Sequence, residues 1–198
     1  MAERTEDVIT AATRIFLRYG YQRVTMRDLA EAARMSRPAL YLVFPSKEEI
    51  FTAVMARAFA AMLDEIRQGL GRFTAPKEKL MFAFEVWCVR PFEMIQASPD
   101  AKDLLQSSYE FAAEVTAQAS ASFEALLTEV LQPLIRKSAG MKLSPAQMAH
   151  ILAAAAPGFK ESVKNAGQLR ELISNLITVV LASLKNRPRS GARPQSTS

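Results

Sequence analysis

Thr25-Met26-Arg27-Asp28-Leu29-Ala30-Glu31-Ala32-Ala33, then Arg34-Met35, then Ser36-Arg37-Pro38-Ala39-Leu40-Tyr41-Leu42-Val43-Phe44, is the stretch that decides how this chain folds. It spells two short helices joined by a tight turn. Thr25 is placed to cap the first, with Asp28 three residues on as its capping-box partner. Leu29, Ala30 and Ala33 supply the inner face of that helix. Ser36 caps the second helix, with Pro38 in its first turn, where a missing N–H costs little. Leu40, Val43 and Phe44 point inward, and Pro45 is expected to end the helix.

Working outward, Val8, Ile9, Ala12, Ile15, Phe16 and Tyr19 repeat with a helical period and predict a helix ahead of this pair. Thr5 is expected to cap it, with Glu6 and Asp7 in the favourable first turn and Gly20 as its stop. Downstream, Ser46 and Glu49 form a second capping box. A fourth helix follows, carrying Ile50, Phe51, Val54, Met55, Ala58 and Met62 and running to about Leu70. Three helices, the last two short and joined by a tight turn, have the layout of a helix-turn-helix.

The remainder reads as helix punctuated by Gly71, Pro76, Pro99, Gly140, Pro145 and Gly167. One helix is expected over roughly 76–96, kinked or broken at Pro91. A short one starts at Ser98-Pro99-Asp100, and a long one covers about 107–137. Another starts at the cap Ser144 and is interrupted at Pro157-Gly158. The last spans about 168–185. Residues 187–198, rich in Pro, Ser, Arg and Gly, read as a disordered basic tail. There is no strand pattern and no internal repeat. The fold class is therefore all-α: a helix-turn-helix unit over 1–47, then a larger helical unit over 48–186.

Composition narrows the function. Of 198 residues, 49% are hydrophobic, enough to bury a core, and 23% are charged. The single cysteine, Cys88, excludes an internal disulfide framework and fits a reducing compartment. No apolar signal segment follows the N-terminus, and the greasy run 176–184 is far short of the about 20 residues a membrane span needs. A cytoplasmic protein is expected. Residues 1–47 hold eight Lys/Arg against five Asp/Glu, residues 48–184 hold thirteen against fifteen, and residues 185–198 hold four against none. Basic ends around a slightly acidic middle suit a polyanion, of which duplex DNA is the obvious one.

A helix-turn-helix works by fitting the exposed N-terminal half of its second helix into the major groove. The exposed positions here include Arg37, Pro38, Ala39, Tyr41 and Leu42. Arg37 can pair with guanine or with phosphate, Ala39 lets the backbone approach and can touch a thymine methyl, and Tyr41 offers a hydroxyl to a phosphate. Thr25 brings a hydroxyl and a helix start to a phosphate, and Lys47 repeats that arrangement one helix later. Tyr41 also reads as a half-buried structural tyrosine.

The run Val24-Thr25-Met26-Arg27-Asp28-Leu29-Ala30-Glu31-Ala32-Ala33, with Met35-Ser36-Arg37-Pro38-Ala39-Leu40-Tyr41 and Phe44-Pro45-Ser46-Lys47-Glu48-Glu49-Ile50-Phe51, resembles the DNA-binding domain of the TetR family of regulators. Ala11-Ala12, Phe16 and Tyr19-Gly20-Tyr21 resemble that family's first helix. The likeness covers about residues 5–55; beyond that only length and helical character agree. It implies a homodimer whose C-terminal helices hold a small-molecule pocket and the dimer interface, released from DNA by ligand. Carried over by position, Thr25, Tyr41 and Lys47 become phosphate contacts, and Arg27, Arg37, Pro38 and Ala39 the base-proximal set. Arg27 reads equally as a solvated helix face. Two departures stand out. Arg34 occupies the turn where the family commonly has glycine, so a positive φ there would add about 1 kcal/mol of strain. Leu42 and Val43 replace an aromatic or histidine pair, so a more apolar recognition surface is expected.

In the C-terminal part, Phe84, Trp87, Cys88, Phe111, Phe123 and Phe159 read first as core packing. With Arg90, Tyr109 and His150 they are also the candidate lining of a largely apolar ligand pocket. Cys88 reads as a small buried hydrophobe. His150, the only histidine, has no partner at metal-ligand spacing and reads as a core or pocket residue rather than a ligand. The last helix is apolar over an unusually wide face, and the run 153–156 is all alanine. Ile151, Ala155, Leu169, Leu172, Ile173, Leu176, Ile177 and Val180 are therefore the expected dimer interface, built as four helices.

No phosphate-cradling Gly-rich loop, zinc-ligand cluster or Cys–His or Ser–His pairing is present. Glu110 and Glu114 share a helical face but read as solvated. Neither catalysis nor a cofactor or metal is expected. The sequence thus points to a DNA-binding regulator; the family resemblance implies a repressor, freed from a palindromic operator by a small apolar effector that tilts the fourth helix, and leaves activation open. A regulator that has lost ligand response and makes protein contacts instead is the alternative.

Overall fold

A computed structural model describes residues 2–105, 110–135 and 142–185. Among them the α-helices are α1 (Ala2–Tyr19), α2 (Met26–Ala32), α3 (Arg37–Tyr41), α4 (Lys47–Gly69), α5 (Pro76–Phe84), α6 (Arg90–Gln96), α7 (Ala113–Ile135), α8 (Pro145–Ser162) and α9 (Ala166–Lys185). No strand occurs among the described residues. Short 3₁₀ turns lie at Leu70–Arg72, Pro99–Leu105 and Glu110–Ala112.

Several boundaries follow from the local signals. Gly20 stops α1 with φ 77°, its N–H donating to the Phe16 carbonyl at 2.8 Å. At α8, Ser144 accepts from the Gln147 N–H while the Gln147 side chain accepts from the Ser144 N–H, closing a capping box. Other boundaries move. The first helix begins at Ala2, ahead of Thr5. The third ends at Tyr41 rather than at Pro45, because Val43 and Phe44 both donate to the Leu40 carbonyl and turn the chain early.

The expected helix over 76–96 divides into α5 and α6, with a wide π turn at Glu85–Val89 between them. The extra residue of that turn lies just ahead of Pro91, which has no N–H to return to the preceding turn. Arg170 of α9 pins the π turn, donating from Nε and a terminal nitrogen to the two Glu85 oxygens at 2.9 and 2.8 Å. Pro157, by contrast, does not interrupt its helix, nor does Pro133 interrupt α7. Both prolines are on the exposed side of their helices. The expected tail at 187–198, and residues 107–109 and 136–137 of the long helix, lie outside the described residues.

Two apolar cores result. Val8, Ala12, Phe16, Leu29, Leu40, Ile50 and Phe51 pack α1 to α3 against the first turns of α4. Leu63, Ile66, Phe84, Phe123, Leu127, Leu152, Leu169 and Ile173 close the body. The α4 helix belongs to both, its N-terminal half to one core and its C-terminal half to the other. A second tie runs through the turns after α6. Phe111 sets its ring 5.4 Å from that of Tyr21, tilted, and 5.9 Å from that of Phe51, edge-on, and Ala112 is buried in the N-terminal core. The Gln22 N–H donates to Asp103 Oδ2 at 2.7 Å, Ser98 Oγ donates to the Arg18 carbonyl at 3.1 Å, and Arg23 pairs with Asp100.

Packing corrects the dimer expectation. Leu169, Ile173, Ile177 and Val180 are buried in the chain's own body core, under α5 and the π turn, and cannot meet a second copy. Leu172 and Leu176 are half-buried, as is Ala155 on α8, while Ile151 is exposed and Val179 is 67% exposed. The outer stripe of α9 is thus Leu172, Leu176 and Val179, at i, i+4 and i+7.

Candidate nucleic-acid interface

The geometry of α2 and α3 starts at their caps. Thr25 Oγ1 accepts from the Asp28 N–H at 3.3 Å and donates to Asp28 Oδ2 at 2.7 Å, while the Thr25 N–H donates to the same oxygen at 2.8 Å. These bonds, the hydroxyl's first, hold the Asp28 carboxyl below the usual carboxylate range. The Thr25 hydroxyl hydrogen is therefore already given to a carboxylate, and the charge beside it stands against an incoming phosphate. Thr25 serves the fold first.

The turn between the helices is a Schellman closure. Met35 N–H donates to the Ala30 carbonyl at 2.8 Å and Arg34 N–H to the Glu31 carbonyl at 3.0 Å. That places Arg34 at φ 54°, the only positive φ outside glycine among the described residues. A side chain there is strained by about 1 kcal/mol or more. Arg34→Gly is expected to raise stability by about 0.5–1 kcal/mol, the extra freedom of glycine in the unfolded chain offsetting part of the relief. A lower urea midpoint for this variant would show that the arginine side chain does something the strain argument omits.

Ser36 Oγ accepts from the Ala39 N–H at 3.3 Å and starts α3. Leu40, fully buried, anchors the helix to the N-terminal core. The opposite face carries Arg37, Pro38, Tyr41 and Leu42, all exposed, with Ala39 half-buried at its edge. Tyr41 is 44% exposed and Leu42 88%. Arg37 has no hydrogen-bond or ion-pair partner among the described residues, so its guanidinium is available to a ligand. Arg27 is exposed on α2.

Lys47 departs from its expected position. Its Nζ donates to the carbonyls of Tyr21 (3.1 Å) and Val24 (2.9 Å) and lies 4.1 Å from the centre of the Tyr21 ring. Two of its three N–H bonds are spent on the loop before α2. Lys47 therefore fixes the loop that presents the reading pair instead of standing free on the outer face. Tyr21 completes this brace by donating its hydroxyl to Glu48 Oε1 at 3.0 Å.

The expected pocket residues disperse. Phe84, Cys88 and Phe123 are buried together, Trp87 stacks on Phe123 at 4.7 Å and faces Phe59 at 5.3 Å, and Phe159 is half-buried against the same core. Burial pushes the Cys88 thiol pKa up, as for a packed apolar group. Three members do not join them. Arg90 is on the surface paired with Glu65 at 2.6 Å, and His150 is exposed, its Nδ1 3.1 Å from both Glu124 oxygens. Phe111 belongs to the junction with the N-terminal core. In each case a partner from a distant element outcompetes the pocket. Tyr109 lies outside the described residues.

The sequence of this N-terminal unit matches a known pattern: residues 8–54 match the family model described as bacterial regulatory proteins, tetR family. Its N-terminal unit is thus similar to the DNA-binding domain of the TetR family. Among the proteins this chain is similar to is the HTH-type transcriptional activator FasR of Mycolicibacterium smegmatis, 29% identical over 147 residues, 74% of this chain and 65% of FasR. Another is the HTH-type transcriptional repressor AcnR of Corynebacterium diphtheriae, 35% identical over 66 residues, 33% of this chain and 34% of AcnR. The chain thus spans less than two thirds of the length of these curated relatives. A solved transcriptional regulator from Cytophaga hutchinsonii superposes with a TM-score of 0.75 at 18% identity, over 90% of this chain and 96% of that one. At that identity the likeness is one of fold. No described helix is long and apolar enough to cross a membrane.

Proposed function

We propose that this chain is a cytoplasmic transcriptional regulator of the TetR family that binds duplex DNA as a homodimer and acts as a repressor released from a palindromic operator by a small, largely apolar ligand. The observation that carries the reading is the outer face of α3. It is short, capped and held from behind by buried Leu40, and it presents Arg37, Pro38, Tyr41 and Leu42 with no covering element among the described residues. That is what entry into the major groove requires. Arg37 and Pro38, with Ala39 at the edge, form the base-proximal set. Arg27 on α2 belongs with that set, Tyr41 flanks it toward the backbone, and Thr25 and Lys47 hold the loop in place.

The dimer uses the outer stripe of α9, Leu172, Leu176 and Val179, beside Ile151 and Ala155 of α8, two helices from each copy. A monomer mass in solution at micromolar concentration would remove this part. The ligand site is the aromatic stack Phe59–Trp87–Phe123 beside the π turn, a geometry that recurs at functional positions in helices. Stabilisation by an apolar compound in a thermal-shift screen is the expected sign of it. A ligand there bears on α4 from the body side. Tilting α4 moves the two reading helices off the roughly 34–36 Å spacing of successive major grooves, and the ligand need only prefer that state.

The first test is selection of random duplex DNA on the purified protein at stated salt. Recovery of a palindromic site supports the reading; recovery of nothing above background, with and without stabilising ligand, overturns it. Activation is the second reading, since FasR is named an activator. A promoter–reporter fusion carrying the selected site separates the two by the sign of its response.

A further inference from the structure

Leu42 is the most exposed of the large hydrophobic side chains among the described residues, at 88%. It is not at a loose end. Its N–H donates to the Pro38 carbonyl at 3.2 Å, and the next two residues are drawn back to the core by bonds of 2.9 Å to the Leu40 carbonyl. The backbone thus holds this leucine outward, one turn beyond Pro38 and on the same side of the helix as that residue, within the exposed surface that also carries Arg37 and Tyr41.

A single exposed leucine on an ordinary surface calls for no explanation. On a surface that enters the major groove its options are narrow. Base edges there display hydrogen-bond donors and acceptors and one apolar group, the C5-methyl of thymine. A leucine facing a base acceptor would strip it of water without replacing the bond. Facing the methyl, it removes apolar surface from water on both sides. We infer that Leu42 reads a thymine methyl in each half of the operator, a specificity contact that the polar residues of α3 cannot make. This rests on the DNA-binding reading above.

The test uses the selected operator and the full chain. Each thymine is replaced in turn by deoxyuridine, which deletes the methyl and keeps every hydrogen-bonding group, and affinity is read by fluorescence anisotropy at fixed salt. Burying one methyl is worth roughly a fourfold change in affinity. At one thymine position the wild type should therefore weaken about fourfold, and about fifteenfold when both symmetric copies are changed. Leu42→Ala should bind the thymine and deoxyuridine duplexes equally. It should also melt like the wild type, because so exposed a side chain packs against little. Indifference of the wild type to every replacement would overturn the inference, as would a Leu42→Ala protein that keeps the full thymine preference, which would hand the contact to Ala39. A wild type that selects no duplex at all would overturn the DNA-binding reading and this inference with it.

Discussion

Replacing Arg37 by alanine is expected to weaken binding to the selected operator by about 1–3 kcal/mol, a loss of roughly five- to over a hundredfold. The size comes from the contact Arg37 can make. It is the first residue of α3, exposed, with a guanidinium that pairs with nothing else among the described residues. An unpaired planar fork at that position suits the two acceptors of guanine. Because Arg37 makes no hydrogen bond or ion pair among the described residues, the variant should unfold at the wild-type urea midpoint, which separates lost recognition from lost structure. Salt and sequence divide the two forms the contact can take. A base contact is lost on the operator alone and leaves scrambled duplex unaffected. A phosphate contact is lost on both and lowers the salt slope by about one. Unchanged operator affinity would mean that the N-terminal end of α3 is not in the groove.

Gly20→Ala is expected to destabilise the protein by about 2–4 kcal/mol, the sum of a left-handed backbone penalty and overpacking. At φ 77° an alanine is strained in any surroundings. Here its Cβ would also lie 2.3 Å from Asp103 Oδ1 and 2.6 Å from the Asp100 carbonyl, so the turn after α6 would have to move. The same turn receives the Gln22 N–H and the Arg23 guanidinium. The substitution therefore strikes the junction between the reading unit and the body rather than a helix end alone. For a chain of this size the loss amounts to about 5–15 °C in melting temperature. Amides of residues 20–23 and 98–105 should exchange faster with solvent before the rest. A variant that melts with the wild type would mean that the contacts at Gly20 are not part of the stable fold.

The signals that were legible in the chain are those that act within three to five residues. Thr25 with Asp28, Ser36 before Pro38, and Ser144 with Gln147 are caps whose donors and acceptors are neighbours in sequence. Gly20 stops α1 for a reason of backbone sterics alone. The positive φ of Arg34 is suggested by the family resemblance, since that family commonly has glycine in this turn. Part of the outer face of α3 was readable from local signals as well: with Leu40, Val43 and Phe44 assigned inward, the period of the helix sends Pro38 and Leu42 out, whereas Arg37 is exposed at the start of the helix.

Other features depended on partners far along the chain. Hydrophobic periodicity marks an apolar face on α9 but not what covers it. The body core took Leu169, Ile173, Ile177 and Val180, which left a narrower stripe for a second copy. Arg90, His150 and Phe111 looked like pocket residues until Glu65, Glu124 and the Tyr21–Phe51 rings claimed them. Lys47 was turned inward by carbonyls 23 and 26 residues earlier. The junction of Arg18, Gln22 and Arg23 with residues 98–103 spans 77–81 positions and has no periodic or capping signature. By itself the sequence determined the helices of the reading unit, their caps and which side of α3 faces out, since short-range hydrogen bonds and sterics decide these. The tertiary structure alone decided which apolar faces stay open and how the reading unit is tied to the body, because both depend on which distant surfaces compete for the same side chains.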